Sequence, residues 1–406
     1  MREYDVIVVG AGPAGLFCAA HLAPAKVLIL EKMKLPGRKL MLAGSGQCNL
    51  THSGDVKTFP GNYGDHGNFV KPSLMACSNY DVMEFFEHRG VPLFTNENDK
   101  VFPVSLLADD VLDALLFACD EAGVEINYSE GVKSITRDQD GYSVATSFAI
   151  YQAKYVVIAT GGMSYPGTGS TGDGYGFAES LGHTIVLPEP SLTPVYVDDH
   201  LLWDLSGISL SAKVSIWRDG KKLITWEGDL LITRFGYSGP VILDASRWMR
   251  AGDLLKIAFT PLSPEEVDAL LKERTAGSGG KQIKNLLSGL SCPDRLTRAL
   301  VEVSGIPEGT TGGQLTSKMR AALVGNLTGF PVTIERVGDF GVAMCTAGGV
   351  PLAEINKKTC ESKIAPGVFF AGEVMDIDGD TGGYNIQAAF STGFVVAKTI
   401  LKMLCA

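Results

Sequence analysis

The sequence predicts an α/β protein in which a discontinuous, Rossmann-like, doubly wound domain is interrupted by an inserted β-rich domain. Residues 4–9 form a β-branched apolar run that leads directly into a glycine-rich turn, as the first strand of a buried parallel sheet does. Similar apolar runs end in glycines at 155–162 and 368–373, which predicts further strands of the same sheet. Past residue 190, apolar and polar residues alternate in segments such as 210–217, and this pattern indicates the antiparallel strands of an insert.

The turn after the first predicted strand has the G-x-G-x-x-G pattern of a dinucleotide-binding loop, at residues 10–15. Gly10 allows a tight turn off the strand, Gly12 allows a pyrophosphate to approach the backbone, and Gly15 allows the next helix to pack closely on the sheet. The start of that helix offers free N–H groups and the positive end of its dipole. The sequence therefore predicts a dinucleotide ligand at this turn.

An acidic residue follows this loop at the required distance. Residues 26–30 form a second predicted strand that ends at Glu31, nineteen residues after Gly12. In this motif the carboxylate accepts a hydrogen bond from a ribose hydroxyl and repels a 2′-phosphate. The motif therefore predicts FAD or NAD rather than NADP.

Two segments beyond Glu31 favour FAD over NAD. Arg38 and Lys39 form a cationic turn that can neutralise a pyrophosphate or a flavin phosphate. The following glycine-rich loop contains Gly44 and Gly46, whose backbone can pass close to a large flat ligand. An exposed basic turn followed by a flexible loop is the alternative interpretation of the same residues.

Three further segments are predicted to line the same ligand. The buried run at 155–162 passes closely behind it, and the strand that begins at Val132 is a candidate contact for an adenine ring. The C-terminal run at 368–373 ends in Gly-Glu, and Gly382-Gly383 opens a helix whose first N–H groups would face the O2/N1 edge of a flavin. Such an arrangement stabilises the anionic reduced ring. A plain strand–turn–helix closure of the sheet is the alternative.

A second G-x-G-x-x-G pattern, at 167–172, is interpreted as a glycine-rich loop. It does not directly follow a strand, and no acidic residue ends a second strand about twenty residues later. The sequence therefore predicts no separate nicotinamide-binding domain, and NADH or NADPH is expected only as a transient electron donor.

Taken together, these segments resemble the BaiN/YhiN-like family of bacterial NAD(P)/FAD-dependent oxidoreductases over nearly the whole chain. The resemblance implies a two-dinucleotide-binding flavoprotein with a Rossmann-like FAD domain at 1–190 and 340–406. It also implies an inserted substrate domain at 191–339, a β-barrel with a helical portion at about 262–325. The segments that carry the resemblance are 10–15, 37–39, Cys48-Asn49, 101–103, 159–162, 235–246 and 371–387, of which the last is the most specific.

The resemblance also implies which residues contact FAD. The family's contacts fall on Ala14, Glu31, Arg38, Lys39, Val132, Glu373, Asn385 and Ile386. The motifs and their neighbours add Gly10, Gly12, Pro13, Gly15, Lys32, Gly44, Gly46, Asn49, Thr160, Gly161, Gly372 and Gly383. The chain departs from the family at Ser45 and Gln47, which replace a glycine and an arginine, and at Arg234, which replaces a histidine.

The resemblance implies an FAD-dependent oxidoreductase and leaves three functions open. The first is reduction or dehydrogenation of a carbon–carbon bond next to a carbonyl in a small hydrophobic substrate. The second is a peroxide-producing amine or amino-ketone oxidase, and the third is a non-catalytic flavin-binding partner protein. Tyr384 and Arg234 are candidate proton donors. None of the six histidines lies in a motif, so all are interpreted as surface or structural residues.

Composition limits the class of protein. The net charge of −10 argues against a nucleic-acid partner, which normally requires a basic surface. The chain has no signal-peptide pattern and no apolar run of membrane-spanning length, and it has eight cysteines without C-x-x-C or metal-ligand spacing. We therefore expect a cytoplasmic enzyme without a metal and without membrane contact.

Overall fold

The computed structural model describes residues 2–198, 201–277, 279–290 and 292–406. These residues form two compact units, one combining Met1–Ser191 with Phe340–Ala406 and the other comprising Leu192–Asp339. None of the described helices is long and apolar enough to cross a membrane.

Strands and helices are numbered along the whole chain, with β11–β17 and α6–α10 in the second unit. The strands of the first unit are β1 (Arg2–Val9), β2 (Val27–Leu30), β3 (Thr51–His52), β4 (Leu93–Thr95), β5 (Lys100–Pro103), β6 (Glu125–Asn127), β7 (Val132–Asp138), β8 (Gly141–Thr146), β9 (Ile150–Ile158), β10 (Val186–Ser191), β18 (Cys345–Gly349) and β19 (Val368–Phe370). Its helices are α1 (Pro13–Ala20), α2 (Gly67–Ala76), α3 (Asn79–Glu87), α4 (Ala108–Glu121), α5 (Asp173–Ser180) and α11 (Tyr384–Leu404).

The main sheet of the first unit has the strand order β6-β2-β1-β9-β8-β7, and β19 also pairs with β9. Strands β6, β2, β1, β9 and β19 are mutually parallel, whereas β8 and β7 are antiparallel additions. The apolar runs of β1, β2, β9 and β19 are buried because the sheet is covered on both faces. Since these four strands are parallel, their carboxyl ends lie at one edge of the sheet.

The first and last helices of the chain pack directly on each other. Gly393 in α11 faces Ala14 in α1, and a Cβ atom at Gly393 would lie 2.6 Å from the Ala14 carbonyl oxygen. Gly372 approaches the same residue, with its Cβ position 3.0 Å from the Ala14 Cβ. Small residues at these three positions therefore hold the C-terminal segment against the N-terminal one.

The second unit is built on an antiparallel sheet with a helical portion. Its strands are β11 (Val195–Tyr196), β12 (Ser209–Arg218), β13 (Lys221–Ile232), β14 (Gly236–Ser238), β15 (Leu254–Ala258), β16 (Phe330–Thr333) and β17 (Arg336–Val337). Its helices are α6 (Pro240–Ala245), α7 (Pro264–Gly277), α8 (Ile283–Leu286), α9 (Asp294–Val303) and α10 (Ser317–Gly329). Short 3-10 helices along the chain occur at Leu40–Gly46, Phe59–His66, Pro166–Thr168, Trp203–Leu205, Ser246–Trp248, Gly312–Gln314, Leu352–Glu354 and Gly372–Val374.

The sheet of the second unit curves back on itself. Its strand order is β16-β15-β12-β13-β14-β11-β17, so the two edge strands are also consecutive in the chain. Between them, the Ile334 N–H donates to the Asp253 carbonyl beside one edge, and the Glu335 N–H donates to the Tyr196 carbonyl at the other, both at 2.9 Å. Ile334 and Glu335 are adjacent in the chain, so the two ends of the sheet must lie close together. The sheet is therefore nearly closed and has a barrel-like form.

The acidic residues are unevenly divided between the two units. The second unit has 17 Lys and Arg and 17 Asp and Glu, whereas the first has 18 Lys and Arg and 28 Asp and Glu. The whole acidic excess therefore belongs to the first unit, and the second unit is electrically balanced.

Candidate functional site

Eight of the twenty predicted cofactor residues lie at one edge of the main sheet. We call this the ligand edge, defined as the residues that directly follow β1, β2, β9 and β19. Because parallel strands present their carboxyl ends together, this is where a doubly wound sheet binds its ligand. The ligand edge includes Gly10, Gly12, Glu31, Lys32, Thr160, Gly161, Gly372 and Glu373.

The glycine loop after β1 has two glycines that packing requires and one that leaves space for a ligand. A Cβ atom at Gly10 would lie 2.6 Å from the Ala159 carbonyl oxygen, and one at Gly15 would lie 2.0 Å from the Gly10 oxygen. At Gly12, by contrast, no described atom lies within 4 Å of the Cβ position. Pro13 begins α1 directly after Gly12, without a side-chain cap. The open space at an uncapped helix start fits a pyrophosphate.

Glu31 ties the glycine loop to the end of β2. Its carboxylate is buried and accepts hydrogen bonds from the backbone N–H groups of Ala11, at 2.8 Å, and Met33, at 2.7 Å. An ionised carboxylate has about four acceptor positions, so two remain for ribose hydroxyls. The Glu130 N–H donates to the Glu31 carbonyl at 2.8 Å, which brings the segment leading to Val132 beside this carboxylate.

Lys32 is engaged by the second glycine-rich loop. Its ammonium group donates to Thr171 and forms an ion pair with Asp173 at the start of α5. The Cβ position of Gly169 lies 2.8 Å from the Met33 side chain, so the same loop packs on the residue next to Lys32. The segment at 167–172 therefore lies against the end of β2, as a loop of the ligand edge.

Two further predicted cofactor contacts, Lys39 and Glu373, bind each other. The Lys39 ammonium lies 2.7 Å from one Glu373 oxygen and 2.9 Å from the other, and it donates to the Ser164 hydroxyl at 2.6 Å. Glu373 also accepts from the Thr346 N–H at 2.9 Å. The exposed Arg38 side chain has no hydrogen bond or ion pair with any described residue. Of the two cations predicted to bind phosphate, Arg38 is therefore the one left free to do so.

The loop that carries Gly44 and Gly46 is fixed to the start of α11. Both glycines have positive φ, of 57° and 88°, which glycine adopts at little cost. With its amide oriented to suit its neighbours, Asn49 donates to the Val101 carbonyl at 3.2 Å and accepts from the Gly383 N–H at 3.1 Å. The loop and the helix start therefore form one surface.

The first turn of α11 has free backbone donors. Gly383 has φ of 94°, and a Cβ atom there would lie 2.6 Å from the Thr51 carbonyl oxygen, so the position requires glycine. The Asn385 side chain is occupied by Gly379, accepting from its N–H and donating to its carbonyl, both at 2.8 Å. In the described part of the chain, the backbone N–H groups of Asn385 and Ile386 have no acceptor. These groups and the helix dipole are suited to a polar or anionic edge of a ligand.

The two predicted proton donors lie in different units and in different surroundings. Tyr384 is buried, with its ring stacked on His52 at 5.1 Å and packed edge-on against Phe59 at 5.2 Å. Its carbonyl accepts from the Tyr63 hydroxyl at 2.7 Å, and burial raises the Tyr63 pKa well above its usual value. Arg234 is an exposed residue of the second unit. Tyr384 is therefore packed among aromatic side chains next to the ligand edge.

His52 also lies against the start of α11, and the sequence patterns did not predict it there. It lies three residues after Asn49 and stacks on the residue that opens α11. The signal in the sequence that could have indicated His52 is its position shortly after the glycine-rich loop that contains Gly44 and Gly46. Four other histidines have side-chain polar partners, and His200 lies outside the described residues; those four are His21, His66, His88 and His183.

The fold and the ligand edge define an FAD-dependent oxidoreductase of the two-dinucleotide-binding type. The family model described as HI0933-like protein Rossmann domain matches residues 4–399, so the chain belongs to that family. The match confirms the predicted α/β flavoprotein class and the resemblance from which it was expected. The space at Gly12 and the uncapped start of α11 fit the pyrophosphate and the ring of FAD.

Similar proteins are known with related activities. The chain is 30% identical to the ribosomal RNA dihydrouridine synthase of Escherichia coli (strain K12), over 99% of both chains. It is 28% identical to the 3-dehydro-bile acid delta(4,6)-reductase of Clostridium scindens, over 96% of this chain and 97% of that one. A solved 3-ketosteroid-delta4-(5alpha)-dehydrogenase from Rhodococcus jostii has the same fold, with a TM-score of 0.54 at 16% identity, over 98% of this chain and 97% of that chain.

Replacing Glu31 should weaken FAD binding. We expect Glu31→Ala to lose about 1–3 kcal/mol of binding free energy, because hydrogen bonds to a charged acceptor are removed. Glu31→Gln, which keeps one acceptor oxygen, should lose less. The measurement is the dissociation constant of FAD, followed by the quenching of its fluorescence. Glu97→Ala, at an exposed position, is the control, and equal affinity of the Glu31 and Glu97 variants would refute the ribose assignment.

Replacing Arg38 should weaken FAD binding without loss of stability. Arg38→Ala removes a cation that has no partner among the described residues, so we expect an unchanged melting temperature. Loss of a charge-assisted hydrogen bond to a phosphate costs about 1.5–3 kcal/mol, or roughly 10- to 100-fold in affinity. Lys34→Ala, which removes another exposed cation, should leave the affinity unchanged. An Arg38 variant that behaves like the Lys34 variant would contradict the proposed phosphate contact.

Proposed function

We propose that this protein uses FAD to reduce a carbon–carbon double bond that is conjugated with a carbonyl group, in a small hydrophobic substrate. The observation that carries this proposal is the chemistry shared by the two relatives described above. Formation of dihydrouridine saturates a bond that is conjugated with a uracil carbonyl. The delta(4,6) double bonds of a 3-dehydro-bile acid are likewise conjugated with a ketone. The names of both relatives therefore indicate a reaction at a carbon–carbon double bond next to a carbonyl, although the substrates differ.

The residues of the ligand edge suit this chemistry. Reduced FAD supplies a hydride when it is bound. The Gly12 turn and Arg38 would bind its pyrophosphate, and Glu31 would bind the adenosine ribose. The free N–H groups of Asn385 and Ile386, at the positive end of the α11 dipole, would stabilise negative charge on the reduced ring.

NADH or NADPH is the electron donor that we propose. The second glycine-rich segment, 167–172, is occupied with contacts to the end of β2, and it does not continue a strand. The donor would therefore bind transiently, reduce the flavin and leave before the substrate enters. This order predicts two separable half-reactions.

A uracil ring in RNA is the second candidate substrate. It is favoured by the 30% identity to a ribosomal RNA dihydrouridine synthase over 99% of both chains. The net charge argues against nucleic acid, but the acidic excess lies entirely in the first unit. The second unit is electrically balanced, so the charge argument does not extend to it. No specific observation favours an amine oxidase or a non-catalytic flavoprotein.

The test is an anaerobic stopped-flow experiment on the FAD-loaded protein. NADH or NADPH should bleach the flavin absorbance, and the reduced enzyme should then be reoxidised by cyclohex-2-enone, by 4-androstene-3,17-dione or by a uridine-containing single-stranded RNA. Reoxidation by either enone supports a small substrate, and reoxidation by RNA alone supports the second candidate. The proposal would be contradicted if none of these compounds reoxidises the reduced flavin. The contradiction would be complete if a primary amine reduces the oxidised flavin and air then reoxidises it with release of peroxide.

A further inference from the structure

We propose that His52 is the proton donor of this reduction, an inference that rests on the proposed function. Adding a hydride to a conjugated double bond leaves negative charge on the α-carbon and the carbonyl oxygen. The reaction is complete only when the α-carbon receives a proton, and general acids typically contribute about 10²- to 10⁴-fold to such a step. His52 is the described titratable side chain that lies against the start of α11 and keeps one unpaired nitrogen.

The backbone places His52 beside the helix start. His52 belongs to β3, where it pairs with Lys100 of β5, and the preceding residue Thr51 lies against Gly383. The Cβ position of Gly382 is 3.4 Å from the His52 Cδ2 atom, so the imidazole lies directly against the Gly382-Gly383 turn. This turn is the one predicted to face the flavin ring.

The ring is held in a defined orientation. It stacks on Tyr384 with 16° between the ring planes, and its Nδ1 lies 2.7 Å from the Ser53 carbonyl oxygen. A carbonyl only accepts, so Nδ1 carries a proton and donates it to this bond. The second nitrogen, Nε2, has no partner among the described residues and is therefore the nitrogen available to a substrate. The side chain is half-buried, which leaves it a route to solvent.

The neighbouring groups are less suited to this role. Tyr63 is fully buried, its hydroxyl donates to a carbonyl, and burial raises its pKa well above the usual value, so it is a poor acid at neutral pH. Tyr384 is packed among aromatic rings. The charged groups near His52 include Lys100 on the paired strand and Asp99, which accepts from the Ser53 hydroxyl at 3.0 Å.

Bound reduced FAD would supply a hydride to the β-carbon. The electron pair of the double bond would then move toward the carbonyl to form an enolate. The α-carbon of the enolate then takes the proton from Nε2 of the His52 imidazolium. Two electrons and one hydrogen come from the flavin, and the second hydrogen comes from His52. The neutral imidazole regains its proton from solvent.

The two half-reactions separate this role from a structural one. We expect His52→Gln and His52→Phe to bind FAD and to be reduced by NADH or NADPH at the wild-type rate. Reoxidation by the acceptor that reacts fastest with wild type, among the two enones and the RNA above, should fall at least about 100-fold. Because the imidazolium is the acid, wild-type reoxidation should slow as pH rises, and the variants should lose this dependence. His88→Gln, at an exposed histidine, is the matched control.

A second measurement does not depend on turnover. In the NMR spectrum, the Cε1 proton of His52, assigned from the His52→Gln variant, should shift when FAD is added to the apoprotein. The corresponding signal of His88 should not shift. Equal reoxidation rates and equal pH dependence in wild type and His52→Gln would overturn the proton-donor role, even if the NMR shift is seen. Failure of the wild-type enzyme to reduce any of the acceptors would overturn this inference together with the proposed function.

Discussion

Close packing around Ala14 is the constraint on which the ligand edge depends. Gly372, which follows the last strand, and Gly393, in the last helix, both approach this residue of the first helix. Larger residues at either glycine would push the C-terminal segment away from the glycine loop. The parallel pairing of β19 with β9 also holds the C-terminal segment beside the glycine loop, because it places Phe370 level with Ile158. The two ends of a 406-residue chain therefore build one surface.

Ion pairs determine which charged side chains of that surface are available to bind a ligand. Lys32 is neutralised by Asp173, and Lys39 is neutralised by Glu373, so neither ammonium is an isolated cation. These ion pairs hold loops together across 141 and 334 residues of sequence. Arg38 remains exposed, and the free N–H groups of the helix starts provide the other positive potential. The site thus combines fixed, paired charges with a small number of free donors.

Local sequence patterns predicted the fold class, and the family match confirms it. The Gly10 to Gly15 loop and Glu31 could be recognised because strand, turn, helix and acid follow each other within one short segment. The pairing of Lys39 with Glu373 could not be recognised, since nothing in either neighbourhood indicates the other. For the same reason His52 was interpreted as a structural residue: its stacking partner, Tyr384, lies far along the chain and meets it only through tertiary packing. The roles assigned to the individual cofactor residues stay predictions.

The most direct test of the account is the flavin content of the purified protein. The visible absorption spectrum, compared with the protein concentration, gives the number of FAD molecules per chain, before and after incubation with excess FAD and removal of the unbound cofactor. The account predicts one FAD per chain with absorption bands shifted from those of free FAD. A protein that stays colourless after this incubation would contradict the central claim that the two ends of the chain form an FAD site.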